Sequence, residues 1–308
     1  MQDADAPARI DRIERLIQEE VGRNIASLAA AARGGLFAAA TSLANAPAPR
    51  LGLITGFYVP RGTPPAAETD GPVGAAVLLH GLSAIGIPCR FATDQPCRPT
   101  CAAALHAAGL RDLPLDVVQL QTPLDATIAT WRTAGITHAL SIERCGRSAD
   151  GTPRNLTGLD ISAYTAPLDD LFLAGPWDTL AIGDGGNEIG MGALPREKIA
   201  ADIANGETIA CATPANHLIV AGVSNWGAWG LLAALAILRP HWRDRLLPSL
   251  DETLDARVLE TTVFRGPAVD GVSRSQTLTV DGLDVATHHR KLRAIREIAE
   301  GREVAEGQ

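Results

Sequence analysis

The chain has 308 residues, and 46% of them are hydrophobic, which is enough apolar material to bury a substantial core. Its 35 acidic and 27 basic residues give a formal net charge of −8. No stripe of Lys and Arg with interleaved aromatic residues is present, which excludes the usual electrostatic pattern of a nucleic-acid-binding protein. No apolar run of 18 residues is uninterrupted, so we expect no membrane span. A small anionic metabolite is the expected partner, and the sequence leaves open whether the chain also forms a homo-oligomer.

The five cysteines are an odd number and are scattered, and the charged, amphipathic residues 1–20 do not resemble a signal peptide. We therefore expect reduced thiols and a cytoplasmic location. The chain has only two lysines, Lys198 and Lys291, and neither lies in a phosphate-binding loop. Their helix-like flanks disfavour a Schiff base with pyridoxal phosphate. The glycine run near residue 185 also fails the dinucleotide fingerprint, because Glu188 stands where its third glycine would fall. Neither a nucleotide nor pyridoxal phosphate is expected.

An amphipathic helix is predicted near the N-terminus, where Ile10, Ile13, Leu16, Ile17 and Val21 repeat at helical spacing. An Ala-rich helical stretch follows and is interrupted at Gly34 and Gly35. We treat residues 1–32 as a helical lead and expect no chemistry from them.

From residue 33 onward the pattern predicts one α/β domain that extends to residue 308. Short apolar runs alternate with helical segments, beginning with the strand-like "LGLITGFYV", the helical "VGAAVLLHGLSAIG" and the strand-like "CRFATD". The same alternation continues to a closing helix at about 284–300. Such alternation is typical of βαβ units. The predicted fold is therefore a mostly parallel sheet with helices on both faces, in three αβα layers.

Polar residues follow five of the predicted apolar elements. They occur in "ETDGP" (Glu68, Asp70), "ERCGRSADG" (Glu143, Arg144), "DGGNE" (Asp184, Asn187, Glu188), "SNWG" (Asn225) and "DGVS" (Asp270, Ser273). In open α/β sheets ligands bind beyond the carboxyl ends of the strands, so these side chains are expected to converge. Carboxylate and amide oxygens suit Mn²⁺ or Mg²⁺ and are poorly suited to soft metals. The glycines at 183, 185 and 186 allow the sharp turn that such convergence requires.

Each cluster also has a simpler explanation when it is considered alone. Asp184 and Glu188 could begin a helix, where acidic residues interact favourably with the helix dipole. The segment "ETDGP" could be only a turn, and Glu143 with Arg144 could be a solvated pair. The functional interpretation depends on all the clusters falling at strand ends.

Several motifs together resemble the D-glutamate cyclase-like C-terminal domain family. They are "TGFYVP", "ETDGP", "ERCGRSADG", "GLDIS", "IGDGGNEIGMG", "SNWG" and "DGVS", which occur in order between about residues 33 and 295. The resemblance implies an α/β fold with a carboxylate-lined site. It also implies one of two activities, namely conversion of D-glutamate to 5-oxo-D-proline and water, or a manganese-dependent phosphatase. Leu156 and Thr157 stand where Met and Arg are more familiar in relatives.

On this resemblance we expect a divalent ion, Mn²⁺ before Mg²⁺, bound by Glu68, Asp70, Asp184, Asn187 and Glu188. Glu143 and Asp270 are the candidate catalytic residues, with Glu143 as the general base. Substrate contacts are expected from Arg144, Asp160, Ser162, Asn225 and Ser273. The same residues could serve phosphate-ester hydrolysis. A non-catalytic protein that binds a metal or metabolite is the third alternative.

Overall fold

The structure is a computed structural model that describes residues 5–302. Its strands are β1 Leu51–Thr55, β2 Tyr58–Val59, β3 Ala66–Ala67, β4 Cys89–Asp94, β5 Leu115–Val118, β6 His138–Ile142, β7 Asp178–Gly183, β8 His217–Val220, β9 Thr279–Val280 and β10 Leu283–Asp284. Its helices are α1 Ala6–Ile17, α2 Ala26–Ala31, α3 Gly35–Asn45, α4 Pro72–Ala84, α5 Arg98–Ala107, α6 Asp125–Thr133, α7 Leu168–Leu173, α8 Arg196–Asp202, α9 Gly206–Ile209, α10 Ser224–Leu238, α11 Pro240–Leu246, α12 Glu252–Arg265 and α13 Val285–Glu300.

Six parallel strands form the main sheet in the order β5-β4-β1-β6-β7-β8. The chain therefore starts in the middle of the sheet at β1, moves outward to β5, and then returns to β6 on the other side of β1. This order is that of a doubly wound fold, whose topological switch point lies between β1 and β6. Ligands in such folds bind beyond the carboxyl ends of the strands at that point.

Helices cover both faces of the sheet, as the sequence predicts, so the fold is a three-layer αβα structure. On one face, α1, α3, α4, α5, α10, α12 and α13 pack into the larger hydrophobic core. On the other face, α6, α7 and α8 surround the second core. Neighbouring strand residues point into opposite cores, as Leu53 and Ile54 of β1 do, because successive side chains of a strand alternate between its faces.

The N-terminal helices pack onto the sheet layers. Ile10, Ile13 and Ile17 of α1 are fully buried in the larger core, where α1 contacts α10 and α13. The predicted interruption at the glycine pair is confirmed, since Gly34 adopts a φ of +87° and α3 begins at Gly35. A Cβ atom at Gly35 would lie 1.8 Å from the carbonyl oxygen of Leu218, so only glycine permits α3 to approach β8 this closely.

The long apolar segment around α10 is a buried helix of the larger core. Fourteen of its 15 residues are buried, and it contacts α1, α3, α4 and α13. No helix within residues 5–302 is long and apolar enough to cross a membrane.

Candidate active site

Three carboxylates meet at the carboxyl edge of the sheet, next to its switch point. Asp70 follows β1 and the small β2–β3 hairpin, Glu143 follows β6, and Asp184 follows β7. One carboxylate oxygen from each residue lies within 4.8 Å of the other two, and all three side chains are buried. The structure therefore brings together three predicted site residues that are separated by up to 114 positions in the chain.

The N-terminus of α10 holds Asp70 in place. The backbone N–H groups of Ser224 and Asn225 donate to the two Asp70 carboxylate oxygens over 2.9 and 2.8 Å. A carboxylate at this position is stabilised by the unpaired N–H groups and by the helix dipole. The side-chain oxygen of Asn225 accepts hydrogen bonds from the N–H groups of Gly71 and Gly74 at 3.0 and 2.6 Å. Asn225 thus links α10 to the start of α4, and both hydrogen bonds that its side-chain oxygen accepts come from the backbone.

Gly74 permits the close approach of α4 and α10 that frames Asp70. A Cβ atom at position 74 would lie 2.6 Å from the Cα atom of Asn225. Gly74→Ala is therefore expected to lower the free energy of unfolding by about 1 to 3 kcal/mol, as measured by urea denaturation. Gly81→Ala, on the same helix, is the matched control, because its Cβ would meet the flexible end of Leu232. Equal losses in the two variants would contradict the proposed role of Gly74.

Glu143 lies in a strained backbone conformation directly after β6. Its φ of +40° is uncommon for a residue with a Cβ atom, and such conformations cost on the order of 1 to 3 kcal/mol. The backbone N–H of Glu143 donates to the carbonyl of Ile182 at 3.1 Å, which ties the turn to β7. The hydroxyl of Ser224 donates to the Glu143 carboxylate at 2.6 Å. These contacts hold the carboxylate toward Asp70 and Asp184.

The glycine-rich loop after β7 is organised by Glu188. The Glu188 carboxylate accepts hydrogen bonds from the N–H groups of Gly185 and Gly186 at 2.7 and 2.8 Å. Gly186 has a φ of +89°, which favours glycine. The side-chain amide of Asn187 donates to the carbonyl of Arg154 at 2.8 Å. Glu188 therefore turns the loop back on itself, so that Asp184 is presented to the other two carboxylates.

Arg23 places a cation against this cluster. Its guanidinium forms an ion pair with Asp184 and a second one, at 2.5 Å, with Asp281. The N-terminal lead, from which we expected no chemistry, thus contributes a charged group to the site. Asp281 was also missed, since "VDG" indicates only a turn between two short strands. Their sequence contexts, "GRN" and "VDG", are typical of turns and gave no signal of a site.

A cavity of about 280 Å³ opens beside the carboxylates. Acidic Glu68 and Glu143 line it, and Arg274 and Arg23 contribute positive charge. Its remaining lining residues are Phe57, Tyr58, Val59, Asn155, Leu156, Thr157, Asn187, Gly271 and Val272. Both signs of charge therefore face one small space, which suits a ligand that carries an amine and carboxylates.

Burial raises the pKa of the clustered carboxyl groups. It raises the pKa of Asp70 to about 7, and the pKa values of Glu68, Glu143 and Asp184 rise well above their usual range. Desolvation is the largest cause in each case, and neighbouring carboxylates add to it because like charges oppose ionisation. Arg23 acts in the opposite direction on all four pKa values.

Arg144 lies away from the cavity. Its guanidinium pairs with Asp94 at 2.6 Å and donates to two backbone carbonyls at 2.7 and 2.8 Å, and the side chain is 1% exposed. The predicted role of Arg144 in gripping a substrate carboxylate does not fit this position, because its N–H groups are already directed at the protein interior. The contacts instead fix the loop after β6 to β4.

Five other residues that were predicted to act on or contact the substrate do not line the cavity, namely Asp160, Ser162, Asn225, Asp270 and Ser273. Asp160 and Ser162 are exposed and bond to each other, with the Ser162 N–H and hydroxyl donating to the Asp160 carboxylate. Asp270 is buried and accepts from three backbone N–H groups, including that of Ser273 at 2.6 Å. These residues shape loops around the site, and their placement does not match the predicted contacts with substrate.

The central carboxylates have the chemistry of a site for a hard divalent cation. All the donors of the Asp70, Glu143 and Asp184 group are oxygens, as Mn²⁺ and Mg²⁺ prefer. The Asp184 Oδ1 atom is buried and accepts no hydrogen bond from the described part of the chain. A buried carboxylate oxygen of this kind is costly unless a cation occupies its lone pairs. The residues present therefore fit a divalent ion.

Fold and site define an α/β protein with a buried carboxylate cluster at the switch point of a doubly wound sheet. The chain belongs to the D-glutamate cyclase-like, C-terminal family, whose model matches residues 13–296, and the family resemblance is thereby confirmed. It is similar to "D-glutamate cyclase, mitochondrial" of Homo sapiens, with 35% identity over 205 residues. The matched region is 60% of this chain and 32% of that protein, so the chain spans about a third of the length of this relative.

Proposed function

We propose that this protein converts D-glutamate to 5-oxo-D-proline and water at a divalent-metal carboxylate site. The observation that carries the proposal is the convergence of Asp70, Glu143 and Asp184 beside a cavity lined by both acidic and basic side chains. Membership of a family named for D-glutamate cyclase supports the choice of reaction.

Lactam closure needs two changes in charge. The substrate amine must lose a proton before its nitrogen can attack, and the γ-carboxylate must lose its negative charge before a nucleophile can approach. The new C–N bond forms, the C–O bond to one γ-carboxyl oxygen breaks, and that oxygen leaves as a water molecule. Because amine and carboxyl group belong to one molecule, bringing them together contributes little, and the charges dominate the barrier.

Glu143 is the candidate general base. It lines the cavity, and burial together with the nearby carboxylates raises its pKa well above the usual range of a glutamate. A carboxylate with a raised pKa accepts a proton from an ammonium group more readily than an ordinary one. The hydroxyl of Ser224 fixes its orientation. The nitrogen loses a second proton once the C–N bond has formed, and Glu143 can pass both protons in turn to the departing oxygen, which then leaves as water.

Asp70 and Asp184 are the candidate ligands of the metal, with Glu68 at the edge of the same cavity. We propose Mn²⁺ as this ion. A divalent cation bound there would neutralise the γ-carboxylate and polarise its carbonyl as a Lewis acid.

Arg274 is the candidate contact for the substrate α-carboxylate. It lines the cavity, and its side chain is exposed. Backbone bonds to Asp270 and Thr63 hold the residue at a φ of +58°, so its position is fixed by the loop. A guanidinium can bind a carboxylate through two parallel N–H···O bonds. Arg274 thus replaces Arg144 in the role that the sequence suggested.

Incubation of the purified protein with Mn²⁺ and D-glutamate tests the activity. We expect 5-oxo-D-proline, detected by chromatography, with L-glutamate a poorer substrate and with loss of product after chelation. Absence of product with every divalent metal would refute the proposal. Release of p-nitrophenol from its phosphate would instead support a phosphatase. Silence in both assays, with a melting temperature that Mn²⁺ still raises, would support a non-catalytic metal-binding protein.

Arg274→Ala is expected to raise the KM for D-glutamate about 10-fold to 100-fold with a smaller change in kcat, because it removes a binding contact remote from the reacting atoms. Steady-state kinetics with Arg274→Lys as a second variant measures this, since lysine keeps the charge but loses the bidentate geometry. An unchanged KM in Arg274→Ala would exclude the contact.

We further propose a cytoplasmic protein whose partner is a small anionic metabolite. All five cysteines are free and buried, which is compatible with a reducing compartment.

A further inference from the structure

The segment between α1 and α2 is built to hold Arg23 in one place. The carboxylate of Glu20 accepts hydrogen bonds from four successive backbone N–H groups over 2.6 to 2.9 Å, those of Gly22, Arg23, Asn24 and Ile25. The bonds close a tight loop in which Gly22 and Asn24 have positive φ. These contacts order the backbone on both sides of Arg23 and direct its side chain inward.

The guanidinium of Arg23 lies between two acidic residues that belong to different parts of the chain. One nitrogen pairs with Asp184, and another pairs with Asp281. Both carboxylates are nearly completely buried, and each retains one oxygen, Asp184 Oδ1 and Asp281 Oδ2, that accepts no hydrogen bond from the described residues. Arg23 thus pairs with only one oxygen of each carboxylate, and the second oxygen of each is left without a partner among the described residues.

Further acids surround the same position. Among the neighbouring charges, Asp281 has the largest effect on the pKa of both Glu68 and Asp70, which places it electrostatically close to them. Five buried acids, Glu68, Asp70, Glu143, Asp184 and Asp281, therefore surround the guanidinium of Arg23. One divalent ion would leave this group negatively charged overall. Two-metal sites commonly place their ions about 3.5 to 4 Å apart with carboxylates shared between them.

We propose that the guanidinium of Arg23 occupies the place of a second metal ion and thereby limits this site to one divalent cation. The first ion would be bound by Asp70 and Asp184, next to Glu143. Without the guanidinium, Asp184 and Asp281, together with Glu68 or Asp70, would offer the oxygen donors of a second site. The inference rests on the metal site of the proposed function, but it does not depend on which reaction the site performs.

Counting the bound ions in the full chain tests this inference. Mn²⁺ is titrated into the wild type, Arg23→Gln and Arg23→Lys by calorimetry, and the loaded proteins are examined by electron paramagnetic resonance. We expect one Mn²⁺ in the wild type and two in Arg23→Gln, with the resonance signature of two spin-coupled ions. Arg23→Lys is the matched control, because it keeps one positive charge at the same position, and it should bind one ion.

One ion in both the wild type and Arg23→Gln, or two in the wild type, would overturn the inference and leave the metal site itself intact. A wild type that binds none would overturn both. Should Arg23→Gln not fold, Glu20→Gln replaces it, because it loosens the loop that delivers Arg23 and removes no acid from the site. We then expect a second, weaker Mn²⁺ to bind, and a single ion in Glu20→Gln would equally refute the inference.

Discussion

An Asp184→Asn variant is expected to lose tight binding of Mn²⁺ and at least about 100-fold of kcat/KM for lactam formation from D-glutamate. The substitution preserves the size of the side chain but removes one of three clustered negative charges. It also replaces a carboxylate oxygen by an amide nitrogen, which cannot ligate a cation. Calorimetric titration with Mn²⁺ and steady-state kinetics measure the two losses separately.

Asp116→Asn is the matched control for this experiment. Asp116 lies in β5, outside the cavity lining, and its carboxylate accepts hydrogen bonds from Arg90 and Trp131. We expect normal Mn²⁺ affinity and normal kcat/KM in this variant, with at most a loss of stability. If Asp184→Asn retained full metal affinity, Asp184 would not be a ligand of the ion.

The convergence of distant carboxylates could be predicted because it depends on topology. Parallel strands place their carboxyl ends at one edge of a sheet, so acids that follow apolar runs must approach each other there. The order of the strands in the sheet could not be predicted from the sequence in this way. In the structure Asp70 and Glu143 follow β1 and β6, the two strands that flank the switch point, which explains why they form the centre of the cluster.

The roles of individual acids could not be predicted, because an acidic side chain that caps a loop looks the same in sequence as one that faces a ligand. Glu188 and Asp270 accept from backbone N–H groups of their own loops, whereas Asp184 Oδ1 has no such partner within residues 5–302. The difference depends on the conformation of two or three neighbouring residues. Arg23 was missed for another reason, since its position depends on Glu20 and on how α1 packs.

In metal-free protein, the free energy of unfolding is expected to fall as the pH rises from about 4 to 7. Burial raises the pKa of Asp70 to about 7 in the folded chain, against about 3.9 in an unfolded chain. The folded chain therefore binds more protons than the unfolded chain between these values, and stability decreases as the pH rises through this window. Asp70 alone would contribute on the order of 4 kcal/mol of this change. Urea unfolding in chelator at several pH values measures it.

Saturating Mn²⁺ should oppose this loss, because the ion binds the deprotonated carboxylates and stabilises the folded chain more as the pH increases. The difference between the metal-free and Mn²⁺-loaded curves isolates the site. His80, His138 and His288, whose pKa values are lowered by burial, titrate in both conditions and cancel. Asp70→Asn should reduce the metal-free pH dependence, because it removes one of the four carboxyl groups whose pKa is raised by burial. Parallel curves with and without Mn²⁺ would show that the ion does not bind these carboxylates, whatever activity the protein has.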